Sequence, residues 1–137
     1  MNPDHTTMAA LVAAARAARK RAYAPYSRFL VGAALLDEQG RIHAGCNIEN
    51  AAYPQGQCAE ATAIGHLVLA GGTRIVAAVV VGVAAEPVTP CGGCRQRLRE
   101  FAAGDVPVWV ADLDTVRARF TLGQLLPASF GPAHLGP

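Results

Sequence analysis

Residues 58–94 read CAEATAIGHLVLAGGTRIVAAVVVGVAAEPVTPCGGC, and their pattern of apolar residues, glycines and proline predicts three successive elements of secondary structure. From Cys58 onward, apolar residues that include Ile64 recur one helical turn apart, so the segment is predicted to be a helix that stops at a pair of glycines. Residues 75–83 are apolar at nearly every position, which is typical of a central strand covered on both faces. Pro90 is well suited to the start of a second helix. A helix, a buried strand and a second helix in this order predict a sheet with helices packed against it.

The flanking segments extend the same architecture. Helical spacing of apolar residues predicts an amphipathic helix near the N-terminus, and two apolar segments around a polar turn predict a β-hairpin with Gly40 in the left-handed turn position. A chain of 137 residues fits one compact domain, so we expect a single domain over residues 1–137 with a three-layer α/β fold. The elements predicted outside residues 58–94 are a helix over 6–22, strands over 29–36 and 41–46, a loop over 47–57, a strand over 106–110, and a short strand and helix around 116–126.

Composition narrows the class of protein. Hydrophobic residues make up 52% of the chain and charged residues 16%, which argues against disorder and leaves apolar surface that we expect in a subunit interface. The formal charge is only +2 and the arginines are scattered, which disfavours a nucleic acid partner. No apolar run approaches the length of a membrane span, and residues 1–10 lack the basic residues of an export signal. We therefore expect a cytoplasmic protein without a membrane partner.

Three cysteines have the spacing of a zinc site. Cys58 precedes one predicted helix, while Cys91 and Cys94 form a CxxC at the start of another. Catalytic zinc commonly takes three protein ligands and leaves the fourth position to water. Glu60 lies two residues after Cys58, and helical geometry points such neighbours apart, so Glu60 is not expected to bind the same metal. An unbound carboxylate near an activated water is a candidate proton shuttle.

Other interpretations of these cysteines remain open at this stage. A CxxC by itself also fits a redox dithiol or half of a structural zinc site, and such a protein could be a binding module without catalysis. Cys46 is predicted to be a small buried hydrophobe and not a fourth ligand. The histidines have no ligand spacing to one another and are expected at the surface or in ordinary hydrogen bonds; they are His5, His43, His66 and His134.

Several further motifs occur in order along nearly the whole chain. They are YAPYS at 23–27, FLVGAA at 29–34, NIENAAY at 47–53, PCGGCRQ at 90–96 and LLPASF at 125–130. Together with CAE at 58–60, this pattern resembles the small, homotetrameric, zinc-dependent cytidine deaminases. The resemblance implies a three-layer α-β-α sandwich with a central mixed sheet of about five strands. It also implies one Zn²⁺ per chain, with Cys58, Cys91 and Cys94 as ligands and Glu60 as the catalytic proton shuttle.

The resemblance also implies a set of nucleoside-binding residues. Phe29, Asn47 and Glu49 match residues around the nucleoside, with the Asn47 amide and the Glu49 carboxylate holding the ribose hydroxyls. Ala51, Tyr53 and Phe130 match residues that help to build the site of a neighbouring subunit, where Phe130 stacks on the pyrimidine. From the residues alone, Asn47 and Glu49 could equally be turn formers, and Phe130 could be ordinary packing of a terminal segment.

The activity implied by the resemblance is hydrolytic deamination of cytidine and 2′-deoxycytidine to the uridine nucleosides and ammonia, in pyrimidine salvage. The alternative within the same chemistry is a deaminase that acts on bases in RNA or DNA, or on another aminopyrimidine. A short chain with residues that hold a ribose favours a free nucleoside as the substrate. The implied partners are therefore a small-molecule nucleoside and three further copies of the chain.

One position departs from the pattern of the family. Many of these enzymes carry an arginine directly after the catalytic glutamate, where it offsets the charge of the thiolates, and this chain has Ala61. We hypothesise that Arg95 or Gln57, each adjacent in sequence to a ligand, donates hydrogen bonds to the sulfurs instead. Such donors commonly change metal affinity or activity by about 10- to 100-fold. The PQGQ loop at 54–57 also differs from many relatives, without a functional explanation.

Overall fold

The computed structural model describes residues 3–136, in which a five-stranded sheet is flanked by helices. None of the helices in this part of the chain has the length and apolar character needed to cross a bilayer. The elements are α1 (His5–Arg19), β1 (Gly32–Asp37), β2 (Ile42–Cys46), α2 (Ala59–Leu69), β3 (Ile75–Val81), α3 (Gly92–Phe101), β4 (Pro107–Ala111), β5 (Val116–Thr121) and α4 (Leu122–Leu125), with short 3₁₀ helices at Tyr53–Gln55 and Pro132–Leu135.

The sheet has the strand order β2-β1-β3-β4-β5. β1 runs antiparallel to both β2 and β3, β3 and β4 are parallel, and β5 is antiparallel to β4. The predicted mixed, five-stranded sheet is therefore confirmed. Its parallel pair is joined through α3, which is the connection that parallel neighbours require.

Helices cover both faces of the sheet. Successive strand residues point to opposite faces, so each strand can contribute side chains to the core on either side. Ala33 and Leu35 of β1 pack in a cluster with α2, α3 and α4, whereas Ala34 and Leu36 pack in a second cluster with α1. The buried strand β3 contributes to both clusters, as its apolar sequence predicts. This arrangement confirms the three-layer α-β-α sandwich.

Some predicted boundaries are wrong. The first helix ends at Arg19 and not at residue 22, because the backbone turns so that Tyr23 N donates to Asn47 O at 3.0 Å. The strand predicted over 29–36 begins only at Gly32, since Val31 N donates to the side chain of Asn47 and not to a neighbouring strand. The hairpin turn is as predicted, and Gly40 has the positive φ of 80° that favours glycine there.

The position of α2 on the sheet depends on Gly45 of β2. A Cβ atom built at Gly45 would lie 2.4 Å from the backbone nitrogen of Ala63 and 2.6 Å from the backbone oxygen of Ala59. The backbones of β2 and α2 are therefore closer than any side chain at this position allows. This close approach determines where the start of α2, and hence Cys58, lies.

Candidate metal centre and active site

Two helix starts bring the three predicted ligands together. Cys58 is the N-cap residue of α2 and Cys91 is the N-cap residue of α3, while Cys94 lies in the first turn of α3. Their sulfur atoms all lie within 4.8 Å of one another, and the Sγ atoms of Cys58 and Cys91 are 3.7 Å apart. The prediction that these cysteines from two separate helix starts share one site is confirmed in the geometry.

The sulfur separations fit zinc. Two thiolates that bind Zn²⁺ at about 2.3 Å in a tetrahedron lie roughly 3.8 Å apart, close to the observed Cys58–Cys91 distance. Within residues 3–136, these three cysteines are the side chains grouped closely enough to hold a metal. Cys46 was predicted to be buried, but it is half-buried at the end of β2 and lies outside this group.

Hydrogen bonds within the three-thiol group shift the pKa values of Cys58 and Cys94 in opposite directions. A hydrogen bond from Cys94 lowers the pKa of Cys58 to about 6 against the opposing effect of burial, and Cys91 and the charge of Arg97 also lower it. The hydrogen bond to Cys58, together with burial, raises the pKa of Cys94. The thiolate form is thus favoured at Cys58, and a metal that binds here must displace the proton of Cys94.

Glu60 is the buried acid of the site, with only 4% of its surface exposed. Burial raises the pKa of Glu60, and the negative charge of Cys58 acts in the same direction. A buried carboxyl group beside a candidate metal site is a candidate for proton transfer. Glu60 is not a member of the three-thiol group, as its spacing from Cys58 predicts.

One cavity connects the thiols with the predicted nucleoside-binding residues. It has a volume of about 330 Å³, within the range of small-molecule sites, and Val80 of β3 forms part of its wall. The predicted residues that line it are Phe29, Asn47, Glu49, Cys58, Glu60 and Cys91. The structure therefore places a polar loop, a buried acid and the candidate metal ligands around one space.

Comparison with known proteins identifies the family. Residues 5–110 match the family model described as the cytidine and deoxycytidylate deaminase zinc-binding region, which is more than half of the chain. The chain belongs to this family of zinc-dependent deaminases. A cytidine deaminase of Sporosarcina psychrophila is 46% identical over 125 residues, which cover 91% of this chain and 92% of the relative. A cytidine deaminase of Mycobacterium tuberculosis (strain H37Rv) is 43% identical over 110 residues, covering 80% of this chain and 79% of the relative.

Solved structures of the family have the same fold. The 1.6 Å crystal structure of cytidine deaminase from Burkholderia pseudomallei superposes with a TM-score of 0.85 at 41% identity, covering 93% of this chain and 100% of that chain. A crystal structure of cytidine deaminase from Mycobacterium tuberculosis gives a TM-score of 0.78 at 38% identity and covers 94% of this chain and 99% of that one. The chain thus has the fold of a zinc-binding deaminase family, and its three-thiol group fits one Zn²⁺ per chain.

In this deaminase, Asn47 and Glu49 also organise the protein itself. The Asn47 amide accepts a hydrogen bond from Val31 N at 2.9 Å and donates one to Phe29 O at 2.8 Å. The Glu49 carboxylate accepts hydrogen bonds from Tyr26 N at 2.9 Å and from both the backbone and the hydroxyl of Ser27. The hydroxyl of Ser27 is the largest of the effects that lower the pKa of Glu49, so this carboxylate is ionised at neutral pH.

The remaining predicted residues lie on the surface of the single chain, outside the walls of the cavity described above. Ala51 is exposed, and Tyr53 is 76% exposed with its ring 5.9 Å from that of Tyr26. Phe130 is 56% exposed and stacks on His134 with the ring centroids 4.9 Å apart. Both aromatic side chains are therefore accessible to a partner subunit.

The hypothesis that Arg95 or Gln57 donates to the sulfurs is wrong. Arg95 donates to Pro90 O, Leu125 O and the Thr89 hydroxyl, so its guanidinium connects α3 to the preceding loop and to α4. Gln57 donates to the Thr62 hydroxyl at 2.9 Å. The basic residue beside the thiols is Arg97, which the sequence analysis missed. Its position three residues after Cys94 was the available signal, because such pairs are neighbours on a helix.

Proposed function

We propose that this protein is a hydrolytic deaminase of free cytosine nucleosides, acting on cytidine and also on 2′-deoxycytidine. The observation that carries the proposal is that the buried Glu60 lines one cavity with Cys58 and Cys91 of the three-thiol group, in a chain of the zinc-dependent deaminase family. The cavity has a volume of about 330 Å³, which suits a small molecule and favours a free nucleoside over a base within a polymer. Ammonia and the corresponding uridine nucleoside are the products.

Each residue of the site has its own role in the proposed reaction. Cys58, Cys91 and Cys94 would hold one Zn²⁺, which when bound makes a water molecule much more acidic. Glu60 would take a proton from the attacking water and deliver it to N3 of the pyrimidine while the water oxygen bonds to C4. The same carboxylate would then take the proton of the new C4 hydroxyl and pass it to the amino group, so that the C4–N bond breaks, ammonia leaves and a C4 carbonyl remains. One residue thus acts first as a base and later as an acid. Burial raises the pKa of Glu60 above its ordinary value, which favours the protonated form that donates in the second of these steps.

We assign nucleoside recognition to Phe29, Asn47 and Glu49, which line the cavity. After its two bonds to backbone groups, the Asn47 amide retains one N–H and one lone pair for a ribose hydroxyl. The Glu49 carboxylate is ionised and can accept a further hydrogen bond in addition to those from Tyr26 and Ser27. Their bonds within the protein hold both side chains in place before the nucleoside arrives, which reduces the entropy cost of binding.

We further propose a homotetramer with shared sites, in which Ala51, Tyr53 and Phe130 face the cavity of a neighbouring subunit. Their exposure on the single chain supports this assignment. Four chains of 14.2 kDa total about 57 kDa, which light scattering measures directly. Mixing inactive Glu60→Gln chains with Phe130→Ala chains should restore activity, since a mixed site can combine an intact Glu60 with an intact Phe130. Absence of restoration in verified mixed tetramers would argue against sharing.

The proposed setting is pyrimidine salvage in the cytoplasm, carried out by a single domain over residues 1–137. The supporting observations are the reduced cysteines that a metal site requires and the small cavity. Neither a nucleic acid nor a membrane is part of this proposal.

The deciding experiment is an assay of ammonia release with cytidine, 2′-deoxycytidine, cytosine, adenosine and a cytosine-containing oligonucleotide. We expect turnover of the two cytosine nucleosides, loss of turnover after treatment with a strong zinc chelator, and recovery when zinc is returned. Activity on the oligonucleotide alone would contradict the proposed substrate. A protein that shows no turnover but cycles its Cys91–Cys94 thiols reversibly would be a redox module instead.

A further inference from the structure

The guanidinium of Arg97 lies beside the candidate zinc ligands. Its Nη1 atom is 4.0 Å from the Sγ atom of Cys94, which precedes it by three residues on α3. Long side chains on a helix point towards its N-terminus, so Arg97 is directed back at the first turn of α3. Gly93 leaves this path open, because a Cβ atom there would approach Nη1 to 3.3 Å.

A positively charged side chain directed at the start of a helix, like that of Arg97, is unusual. The N-terminal end of a helix carries positive partial charge, which disfavours a nearby cation. A guanidinium directed towards that end therefore requires a negative group to attract it. The ion pairs found within residues 3–136 join Asp37 to Arg41 and His43, and Asp112 to Arg117, so no carboxylate of this part of the chain forms an ion pair with Arg97. The charge of Arg97 does act on the carboxyl group of Glu60: burial raises the pKa of Glu60, and Arg97 lowers it in part.

The thiols of the metal site can supply it. Zn²⁺ with three thiolates carries one net negative charge, of which the two helix starts offset only a part. Arg97 is the basic side chain that hydrogen-bonds to one of these sulfurs, whereas Arg95 directs its donors to backbone and hydroxyl oxygens. A charge-assisted N–H···S bond both neutralises the centre and restrains the ligand.

The surroundings of Arg97 also explain how this chain functions with alanine at position 61. Ala61 of α2 and Arg97 of α3 line the same cleft between the two helices. A longer side chain at position 61 would extend into that cleft from the opposite wall. The methyl group of Ala61 therefore leaves this cleft open on the side of α2.

We propose that Arg97 is a positioning residue that offsets the net negative charge of the zinc–thiolate centre and holds Cys94 as a ligand. The inference rests on the proposed zinc-dependent function, but its test measures metal binding and does not require turnover. A protein that binds zinc as described yet deaminates nothing would refute the proposed function and leave this inference intact.

The test compares zinc dissociation constants, measured by competition with a chromogenic chelator at constant pH and salt. Arg97→Met keeps the length of the side chain and removes its charge, and we expect zinc affinity to fall by about 10- to 100-fold. Arg97→Lys, which keeps the charge, should retain most of the affinity. The double variant Ala61→Arg/Arg97→Met should recover affinity, because it supplies a guanidinium from the other wall of the cleft.

A matched control removes an exposed arginine elsewhere. Arg74 directly precedes β3, at the end of that strand opposite Val80 and the cavity, so Arg74→Met should leave zinc affinity unchanged. Should Arg97→Met fail to fold by circular dichroism, Arg97→Gln provides the same comparison with a polar side chain. Zinc affinity within twofold of the unmodified protein in the folded, uncharged variant would overturn the proposal. The proposal would also be overturned if Arg97→Met lost affinity while neither Arg97→Lys nor the added Ala61→Arg substitution restored it. That result would show that Arg97 acts through packing and not through its charge.

Discussion

Replacing Gly45 by alanine tests whether the contact between β2 and α2 positions the active site. The new Cβ atom would lie 2.4 Å from Ala63 N, whereas ordinary contacts begin near 3.4 Å, so α2 or β2 must move by about 1 Å. Because the obstructing atoms belong to the backbone, no change of side-chain rotamer relieves the contact. Overpacking of this kind costs about 1–3 kcal/mol of unfolding free energy. Displacement of α2 also moves Cys58 and Glu60 relative to the ligands on α3.

The assay combines urea unfolding of the zinc-loaded protein with kcat/KM for cytidine. We expect the Gly45→Ala variant to lose stability by the amount above, and kcat/KM to fall by about 100-fold, the penalty for a misplacement of about 1 Å. Gly65→Ala is the matched control on the same helix: its Cβ would meet nothing within 4 Å, so it should gain about 0.5–1 kcal/mol from helix propensity. A Gly45→Ala protein with unchanged stability and kcat/KM would refute the reasoning.

Three further predictions follow from the site and the core. Glu60→Gln should lower kcat by about 10²- to 10⁴-fold while one zinc per chain is retained, because both proton transfers lose their carrier; residual activity above about one per cent would contradict the assignment. Asp37→Asn should cost about 1.5–3 kcal/mol in denaturant unfolding, since the buried carboxylate accepts hydrogen bonds from Arg41 and His43. Burial raises the pKa of Asp37, but these hydrogen bonds outweigh it and hold the pKa below its ordinary value, so the unfolded chain takes up the proton first. The contribution of Asp37 to the unfolding free energy should therefore be constant above about pH 5 and decrease as the pH drops below about 4. If the unfolding free energy of the Asp37→Asn variant decreased with falling pH as steeply as that of the unmodified protein, Asp37 would be excluded as the source of this pH dependence.

The sequence predicts most of the fold because its strongest signals are local. The apolar run of β3 and the helical spacing after Cys58 depend only on neighbouring residues, and both elements lie where they were expected. The late start of β1 could not be predicted in this way, because the backbone N–H of Val31 donates its hydrogen bond to the side chain of Asn47, 16 residues further on. The early end of α1 has a similar long-range cause in the bond between Tyr23 and Asn47.

The metal ligands could be predicted because few residue types at this spacing can bind zinc. The side chain that balances the charge of the ligands could not be predicted from sequence adjacency. Sequence adjacency suggested Arg95, yet a residue directly after Cys94 points about 100° away on the helix, whereas Arg97 returns to the same face. Helical geometry applied to the arginines, as it was to Glu60, would have favoured Arg97. The roles of Tyr53 and Phe130 depend on surfaces outside the single chain, so they stay predictions.

Cys58 and Cys91 begin their helices without a side-chain hydrogen bond to the backbone of the first turn. The ends of α2 and α3 therefore lack the ordinary caps that restrain fraying. A metal that joins these two residues closes a chain segment that contains all of α2 and β3, and it fastens both uncapped ends at once. Metal occupancy then governs amide hydrogen exchange and protease resistance at these helix starts, so that the deaminase depends on its zinc for local rigidity as well as for chemistry.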